Sequence, residues 1–375
     1  MLTAHYVMIG GFLGAGKTTS ILRLAKHFAS EGKRVGLIAN DQSQGLVDTA
    51  MFSSSGLPTQ EIAGGCFCCK FNSLIEACDK LDAQNKPEIY LAEPVGSCTD
   101  LVATVVLPLQ QLHPNRYRIA PLSVLVDPIR AQRFLGLLHG KSFSEKVNYI
   151  YDRQLEEADL IIVNKSDLLS EAQLQELMKV LETRYPSANV LSICARTGAG
   201  FDSWIQHITQ TEIAQNSPRY RSGGMPVDYE RYAEGEALLG WVNLSVKLRG
   251  AEFDGNQFLK QILKQLHTDL RHATSDSIAI AHLKGTLIPD VGNDLAIANL
   301  VREDGQVESS FELDELLEFG DLIINLRAEA DPEVLQSVIR ESLRNACLAS
   351  RLSMEQTHLA AFRPLPPTPT HRISG

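Results

Sequence analysis

Residues 10–19 read Gly-Gly-Phe-Leu-Gly-Ala-Gly-Lys-Thr-Thr and follow directly on the apolar run Tyr6-Val-Met-Ile9. A strand, a glycine-rich loop and a helix start in immediate succession constrain the fold more than any other feature of the chain. The spacing G-x-x-x-x-G-K-[ST] runs from Gly11 to Thr18 and is the phosphate-binding P-loop pattern. Gly11, Gly14 and Gly16 open backbone conformations closed to other residues, so successive N–H groups turn inward on an anion. Ala15 and Thr19 belong to the same cradle, and the helix behind it adds its positive N-terminal end. Lys17 is expected to reach the β and γ phosphates and the Thr18 hydroxyl to ligate Mg²⁺. A chance glycine turn is the plain alternative, and the full spacing in its flanking context argues against it.

The 375 residues are enough for two domains, with 44% hydrophobic and 21% charged residues, a balance that supports a sizeable core. The net charge of −10 comes without any basic stretch, which argues against nucleic acid as a partner. No apolar run approaches the roughly 20 residues of a membrane span. The first strand begins almost at once, so a signal peptide is not expected, and the chain reads as cytoplasmic. The seven cysteines are then expected to serve metal or redox chemistry where they cluster, not a disulfide framework.

Short apolar strands alternate with helical patterns through residues 1–214, which predicts an α/β fold of the P-loop NTPase type. Its sheet would be mostly parallel with helices on both faces, and ligands would bind at the carboxyl ends of the strands. Residues 215–236 carry Ser-Pro, Gly-Gly and Met-Pro and read as a linker. A small α+β domain is expected over 237–350, with Phe258, Leu259, Ile262, Leu263, Leu266 and Leu270 at helical spacing. Residues 351–375 read as a tail, disordered from about 362, where Pro-Leu-Pro-Pro-Thr-Pro occurs.

The strand-like Leu160-Ile-Ile-Val leads into Asn164-Lys-Ser-Asp167. A carboxylate at Asp167 can accept from both N–H donors on the guanine edge, whereas adenine would leave it unpaired. Asn164 is expected to hold the loop, and the Lys165 stem to cover the ring. Cys194 and Ala195 follow the next strand, where a backbone N–H is expected to meet the guanine carbonyl. Helix capping by Ser166 or Asp167 is compatible with the same residues.

Gly64-Gly-Cys-Phe-Cys-Cys-Lys70 places Cys66, Cys68 and Cys69 just before a predicted helix. Thiolates suit zinc and other soft or borderline metals, and a nearby helix N-terminus favours the thiolate. Three thiols leave a four-coordinate site open. Asp41, Glu61 and Cys98 are candidates for the fourth ligand, alongside water or a partner. Buried packing cysteines and a metal-free redox pair are the other readings of the cluster. Cys78, Cys194 and Cys347 read as packing residues. The ten histidines form no pair at metal-ligand spacing.

With the P-loop, Cys-Phe-Cys-Cys and Asn-Lys-Ser-Asp in this order, the chain resembles the CobW/HypB/UreG family of P-loop GTPases, and within it the CobW-like branch. Asn40-Asp41 with Asp48 looks like the family's first switch region. Glu93-Pro-Val-Gly96 matches its E-x-x-G, which serves there as Walker B and second switch. Gln154 to Leu168 fits Q-x-x-x-A-D-x-x-x-x-N-K-x-D-L, and Lys284-Gly285 is similar to a mark of the CobW C-terminal domain. The resemblance implies Mg²⁺-dependent GTP hydrolysis that drives insertion of a metal, often zinc, or of a metal-containing cofactor, into a client protein. Lys17, Asp48 and Glu93 would serve catalysis, Gly96 would sense the γ-phosphate, and Cys66, Cys68 and Cys69 would bind zinc. The rival expectation is a GTP-switched regulatory module, or a loading module for a cobalamin-dependent enzyme, with a fixed structural zinc or none. A homodimer is an expectation by analogy with this class of nucleotide-binding fold.

Overall fold

A computed structural model describes residues 3–41, 47–210, 220, 223–274, 278–292, 294–301 and 304–373, with the side chains of Asp41 and Thr49 outside that description. The first elements are β1 (Ala4–Gly11), α1 (Lys17–Ser30), β2 (Val35–Asp41), α2 (Val47–Ser54), β3 (Thr59–Ala63), α3 (Phe71–Gln84) and β4 (Ile89–Glu93). A π-helical turn Val102–Val106 leads into α4 (Leu107–Leu112), β5 (Tyr117–Ile119), β6 (Ser123–Val126), α5 (Pro128–Phe134) and α6 (Glu145–Glu157). Next come β7 (Leu160–Val163), α7 (Glu171–Arg184), β8 (Asn189–Ser192), α8 (Phe201–Thr209) and α9 (Tyr229–Leu238). The last are β9 (Leu239–Phe253), α10 (Gly255–Ala273), β10 (Ile280–Pro289), β11 (Ala296–Leu300), β12 (Glu308–Phe311), β13 (Leu317–Glu329), α11 (Pro332–Ala349) and β14 (Ser353–Phe362).

The chain divides into two compact units. One takes residues up to 42, 55–235 and 366 onward; the other takes 43–54 and 236–365. The first unit holds an eight-stranded sheet in the order β3-β2-β4-β1-β6-β7-β8, with β5 also on β1. Every pairing in it is parallel. Strands β4 and β7 are buried at every position, as strands covered on both faces must be. The order places the carboxyl ends of β2, β4, β1 and β6 side by side. Two loops therefore leave one edge of the sheet together: the P-loop after β1 and the segment after Glu93.

Helix α6 fixes the last of these. It starts on Ser144, whose hydroxyl accepts from the Val147 N–H at 3.5 Å, and its buried face carries Gln154 and Glu157. Gln154 Nε2 donates to the Gly96 carbonyl at 3.0 Å and to the Cys98 carbonyl at 2.8 Å. Glu157 accepts from Thr99 Oγ1 at 3.1 Å and from the Val102 N–H at 3.3 Å. Residues 96–102 are thus held by their own backbone against a helix.

The second unit is a six-stranded antiparallel sheet, β12-β11-β10-β13-β9-β14. The expected stripe of α10 is buried in full and packs with α11 on one face of the sheet. Side chains alternate along strands, so Lys284 and Asn325, paired across β10 and β13, lie on the other face. There α2 docks: Val47 N–H donates to Asn325 Oδ1 at 3.0 Å, and Asp48 pairs with the largely buried ammonium of Lys284.

Four expectations change. The first unit does not run unbroken over 1–214, because α2 belongs to the other one. The expected linker 215–236 lies partly outside the described residues, but its described part includes the start of α9, with Met225 and Tyr232 buried. Residues 353–362 form strand β14, paired with β9 from Ser353↔Arg249 to Phe362↔Trp241. The proline-rich stretch beyond it is not a free tail: backbone hydrogen bonds join Thr370 to Cys68 and Ile373 to Ala103. Prolines removed donors from this segment, but the N–H groups of Thr370 and Ile373 still pair.

Burial, with Asp100 nearby, pushes the Glu157 carboxyl up to about 8. A raised folded-state value means that Glu157 favours folding below its ordinary range and loses that contribution as pH rises toward 8. Glu157→Gln should therefore be more stable than the parent at pH 8, by a few kcal/mol at most, with the difference vanishing at pH 4–5. Thermal melts of the two proteins across that range check it.

Candidate nucleotide site and cysteine cluster

The P-loop carries positive φ at Gly11, Gly14 and Gly16. Two of these positions admit no side chain. A Cβ on Gly11 would stand 2.3 Å from the Leu125 carbonyl oxygen, and one on Gly16 would stand 2.4 Å from Asn164 Nδ2. Asn164 Nδ2 donates to the Ala15 carbonyl at 2.9 Å, so the loop after β7 is bolted to the P-loop through a gap that only glycine leaves. Lys17 is buried, donates to the Gly11 carbonyl at 3.0 Å and lies 3.8 Å from Glu93 Oε1. Thr18 Oγ1 donates to the same Glu93 oxygen at 3.2 Å. A hydroxyl and a carboxylate converging beside a buried lysine are hard oxygen donors of the kind Mg²⁺ takes, so these residues fit a magnesium-bound triphosphate. The Gly96 position is equally tight, since a Cβ there would meet Leu13 at 2.7 Å.

Asn164 Oδ1 accepts from the Lys165 N–H at 2.8 Å and the Ala195 N–H at 3.0 Å. Lys165 adopts a left-handed backbone, and its ammonium reaches Asp127 at 3.1 Å. Burial would raise the Asp127 carboxyl, but Lys165 and Arg130 more than offset it and hold it below its ordinary value. Asp127 also caps α5, accepting from the Ile129 and Arg130 N–H groups. Arg130 donates to the Leu13 carbonyl between the rings of Phe12 and Phe143, bracing the P-loop from outside. Asp167 stands at the rim, where the Arg196 guanidinium and the Cys194 thiol donate to it. The expected backbone donors are already engaged: Ala195 on Asn164, and the Cys194 N–H on the Ala199 carbonyl at 3.0 Å. Neither is aimed at a base here. Asp48, expected near the phosphates, belongs to the second unit and is held there by Lys284.

The cysteine loop turns tightly between β3 and α3, with the Cys69 and Lys70 N–H groups both donating to the Cys66 carbonyl. Its sulfurs converge at 2.7 Å for Cys66–Cys68, 3.2 Å for Cys66–Cys69 and 3.7 Å for Cys68–Cys69. Cys98 is buried and its thiol influences those of Cys66 and Cys68, but it does not join the set of sulfurs that all lie within 4.8 Å of one another. Hydrogen bonds from Cys68, then Cys69, then Cys98 hold the Cys66 thiol well below its ordinary value. The same contacts push Cys68 up, and Cys69 up to about 11. The cluster thus favours ionisation at Cys66, and a thiolate is the metal-binding form. Among the described residues no further cysteine, carboxylate or histidine joins Cys66, Cys68 and Cys69 with all ligand atoms within 4.8 Å of one another, and Glu61 is exposed on β3. The Asp41 side chain lies outside the described residues.

One residue escaped the sequence reading of this loop. Asn40, at the end of β2, is buried and grips both arms of the turn. Its Nδ2 donates to the carbonyls of Ile62 at 2.9 Å and Gly65 at 2.7 Å, and its Oδ1 accepts from the Phe67 N–H at 2.8 Å. The only hint was its place before Asp41 in the switch-like motif. Arg130 and Asp127 gave no sequence signal at all.

These features define a P-loop nucleotide-binding protein with a thiol cluster at the same sheet edge. The CobW/HypB/UreG nucleotide-binding domain matches residues 5–192, and the chain belongs to that family of P-loop GTPases. It is 34% identical over 173 residues to the zinc chaperone YeiR of Escherichia coli (strain K12), an alignment covering 46% of this chain and 49% of that one. It is 29% identical over 201 residues to the zinc chaperone CobW of a Sinorhizobium species, covering 47% and 55%. The chain thus spans about half the length of these curated relatives. The crystal structure of Zn(II)-bound YjiA GTPase from E. coli is similar over 92% of this chain and 99% of that one, at 17% identity and a TM-score of 0.40. Among the described residues no helix is long and apolar enough to cross a membrane.

Gly16→Ala adds a methyl into Asn164 at a left-handed position. It should lower affinity for a fluorescent GTP analogue by at least about tenfold, since the left-handed cost alone is about 1–2 kcal/mol. Unchanged binding in a titration would contradict the geometry.

Proposed function

We propose that the protein is a GTPase that carries zinc on Cys66, Cys68, Cys69 and Cys98 and uses the nucleotide cycle to gate its release to a client metalloprotein. The observation that carries this reading is the reach of Cys98. It is buried where its thiol influences Cys66 and Cys68, and its backbone carbonyl shares the Gln154 amide with Gly96. Cys98 therefore stands beside the thiol cluster and on the segment that follows Glu93.

Hydrolysis in this scheme is positioning plus electrostatics. The N–H groups of Gly14 to Thr19 cradle the phosphates, Lys17 leaves the Gly11 carbonyl to neutralise developing charge, and Asn164, Lys165 and Asp167 select guanine. When bound at the Thr18–Glu93 pair, Mg²⁺ supplies charge neutralisation at the phosphates. Gly96 senses the γ-phosphate through its backbone. We assign Asp48 no step while Lys284 holds it. Ordering of residues 93–98 by GTP moves the Cys98 thiol relative to the other three, so the zinc site is complete in one state and short of a ligand in the other.

A second reading has one observation in its favour. If Cys98 completes Cys66, Cys68 and Cys69, four thiols make a closed site of the structural kind, which would hold zinc permanently and leave the GTP state to control docking alone. Cys98→Ser separates the two. On the carrier reading, the variant binds one zinc per chain at least about tenfold more weakly in one nucleotide state only, and Cys66→Ser binds none. Equal weakening in both states supports the fixed site. Zinc binding indifferent to Cys66 removes the thiol cluster from either account. Metal stoichiometry with chelator competition provides the measurement.

A further inference from the structure

The face beside the thiol cluster is covered by the protein's own C-terminal segment. Pro367 is buried there. The Thr368 N–H donates to Cys69 Sγ at 3.2 Å, the Thr370 N–H to the Cys68 carbonyl at 2.8 Å, and the Thr370 hydroxyl to the Cys69 carbonyl at 3.0 Å. The His371 ring meets the edge of Phe71, the first residue of α3, at 5.1 Å. Arg372 then reaches the other side of the cluster. Its Nε donates to Asp100 Oδ2 at 2.7 Å and its Nη2 to the Met225 carbonyl at 3.0 Å, while the Ile373 N–H donates to the Ala103 carbonyl at 3.0 Å.

Asp100 is a costly residue to place there. It is 1% exposed, non-glycine and left-handed at φ 63°. Its Oδ2 accepts from Arg372 Nε and from the Tyr229 hydroxyl at 2.7 Å, while its buried Oδ1 has no hydrogen-bond partner among the described residues. Removing one partner of a buried charge is strongly unfavourable, so this pair marks the firm end of the strap. Asp100 is two residues beyond Cys98, on the loop clamped by Gln154 and Glu157. The segment thus touches the cysteine loop at one end and the loop bearing Cys98 at the other.

We propose that residues 366–373 are a strap that closes the thiol cluster, donates an outer hydrogen bond to the Cys69 sulfur, and must lift for metal to enter or leave. Outer hydrogen bonds to metal ligands orient them, and their loss typically costs 10–100-fold in affinity. The backbone form of the contacts explains why composition hid them: a threonine between two prolines, Pro367-Thr368-Pro369, offers one N–H, and that one points at sulfur. The importance of the strap for zinc rests on the carrier reading above; its existence as a cover does not.

The test uses the full-length protein with two substitutions. Thr368→Pro removes the backbone donor to Cys69 within a segment already rich in proline. Arg372→Ala removes the anchor on Asp100. On metal-free protein, reaction of Cys69 with a thiol reagent, mapped by mass spectrometry, should accelerate at least about tenfold in both. On zinc-loaded protein, transfer to a chromogenic chelator should accelerate about tenfold in Thr368→Pro, with GTP affinity unchanged. Thiol reactivity within twofold of the parent in both variants would overturn the strap. Faster thiol reaction with zinc transfer unchanged would overturn its control of exchange. If the parent binds no zinc yet both variants expose Cys69, the carrier reading fails and the cover stands.

Discussion

The carboxamide of Asn40 holds the functional edge of this molecule together. It is buried at the end of β2 and ties Ile62, Gly65 and Phe67 to the sheet with three hydrogen bonds. Without it the turn bearing Cys66, Cys68 and Cys69 would leave the Gly65 carbonyl and Phe67 N–H unpaired beside a buried thiol cluster, where each orphan group costs about 1–3 kcal/mol. Parallel strand order does the rest. Because β4 lies between β1 and β2, Glu93 emerges between the P-loop and the cysteine loop. Its carboxylate turns to Lys17 and Thr18, and the chain beyond it carries Cys98 back to the thiols.

This arrangement gives a physical route from phosphate to sulfur. Glu93 and Cys98 are five positions apart on one segment, and that segment has few independent freedoms. Gln154 holds its carbonyls, Glu157 holds Thr99 and the Val102 N–H, and Arg372 with Tyr229 holds Asp100. On the carrier reading we propose, a shift at the phosphate end reaches the Cys98 thiol along this segment. Coupling of this kind is reciprocal: whatever nucleotide does to metal affinity, metal does to nucleotide affinity.

Much of the first unit was legible because its signals are local. The P-loop spacing, the buried strands and the Asn-Lys-Ser-Asp turn each lie within a few residues, and glycines at 11 and 16 read directly as backbone that no side chain fits. The cysteine cluster was legible for the same reason. What sequence could not show were partners separated by long stretches of chain. Asp48 matches a switch pattern by its order, yet its position is decided by Lys284, 236 residues away. The C-terminal segment has the composition of an unstructured tail, yet one buried aspartate and a row of backbone donors hold it. Strand β14 is mostly exposed, so it offers little hydrophobic alternation to detect. Asn40 sits in a recognised motif, but its task is geometric and leaves no periodic trace.

The central claim is that nucleotide state and zinc affinity are linked through residues 93–98. The most direct measurement is zinc affinity by chelator competition on the full-length protein with Mg²⁺ and GDP, then with Mg²⁺ and a non-hydrolysable GTP analogue. The account predicts one zinc per chain and at least a tenfold difference between the two states, about 1.4 kcal/mol of coupling. Equal affinity in both states would contradict it and leave a GTP-binding protein whose cysteines do not answer to its nucleotide.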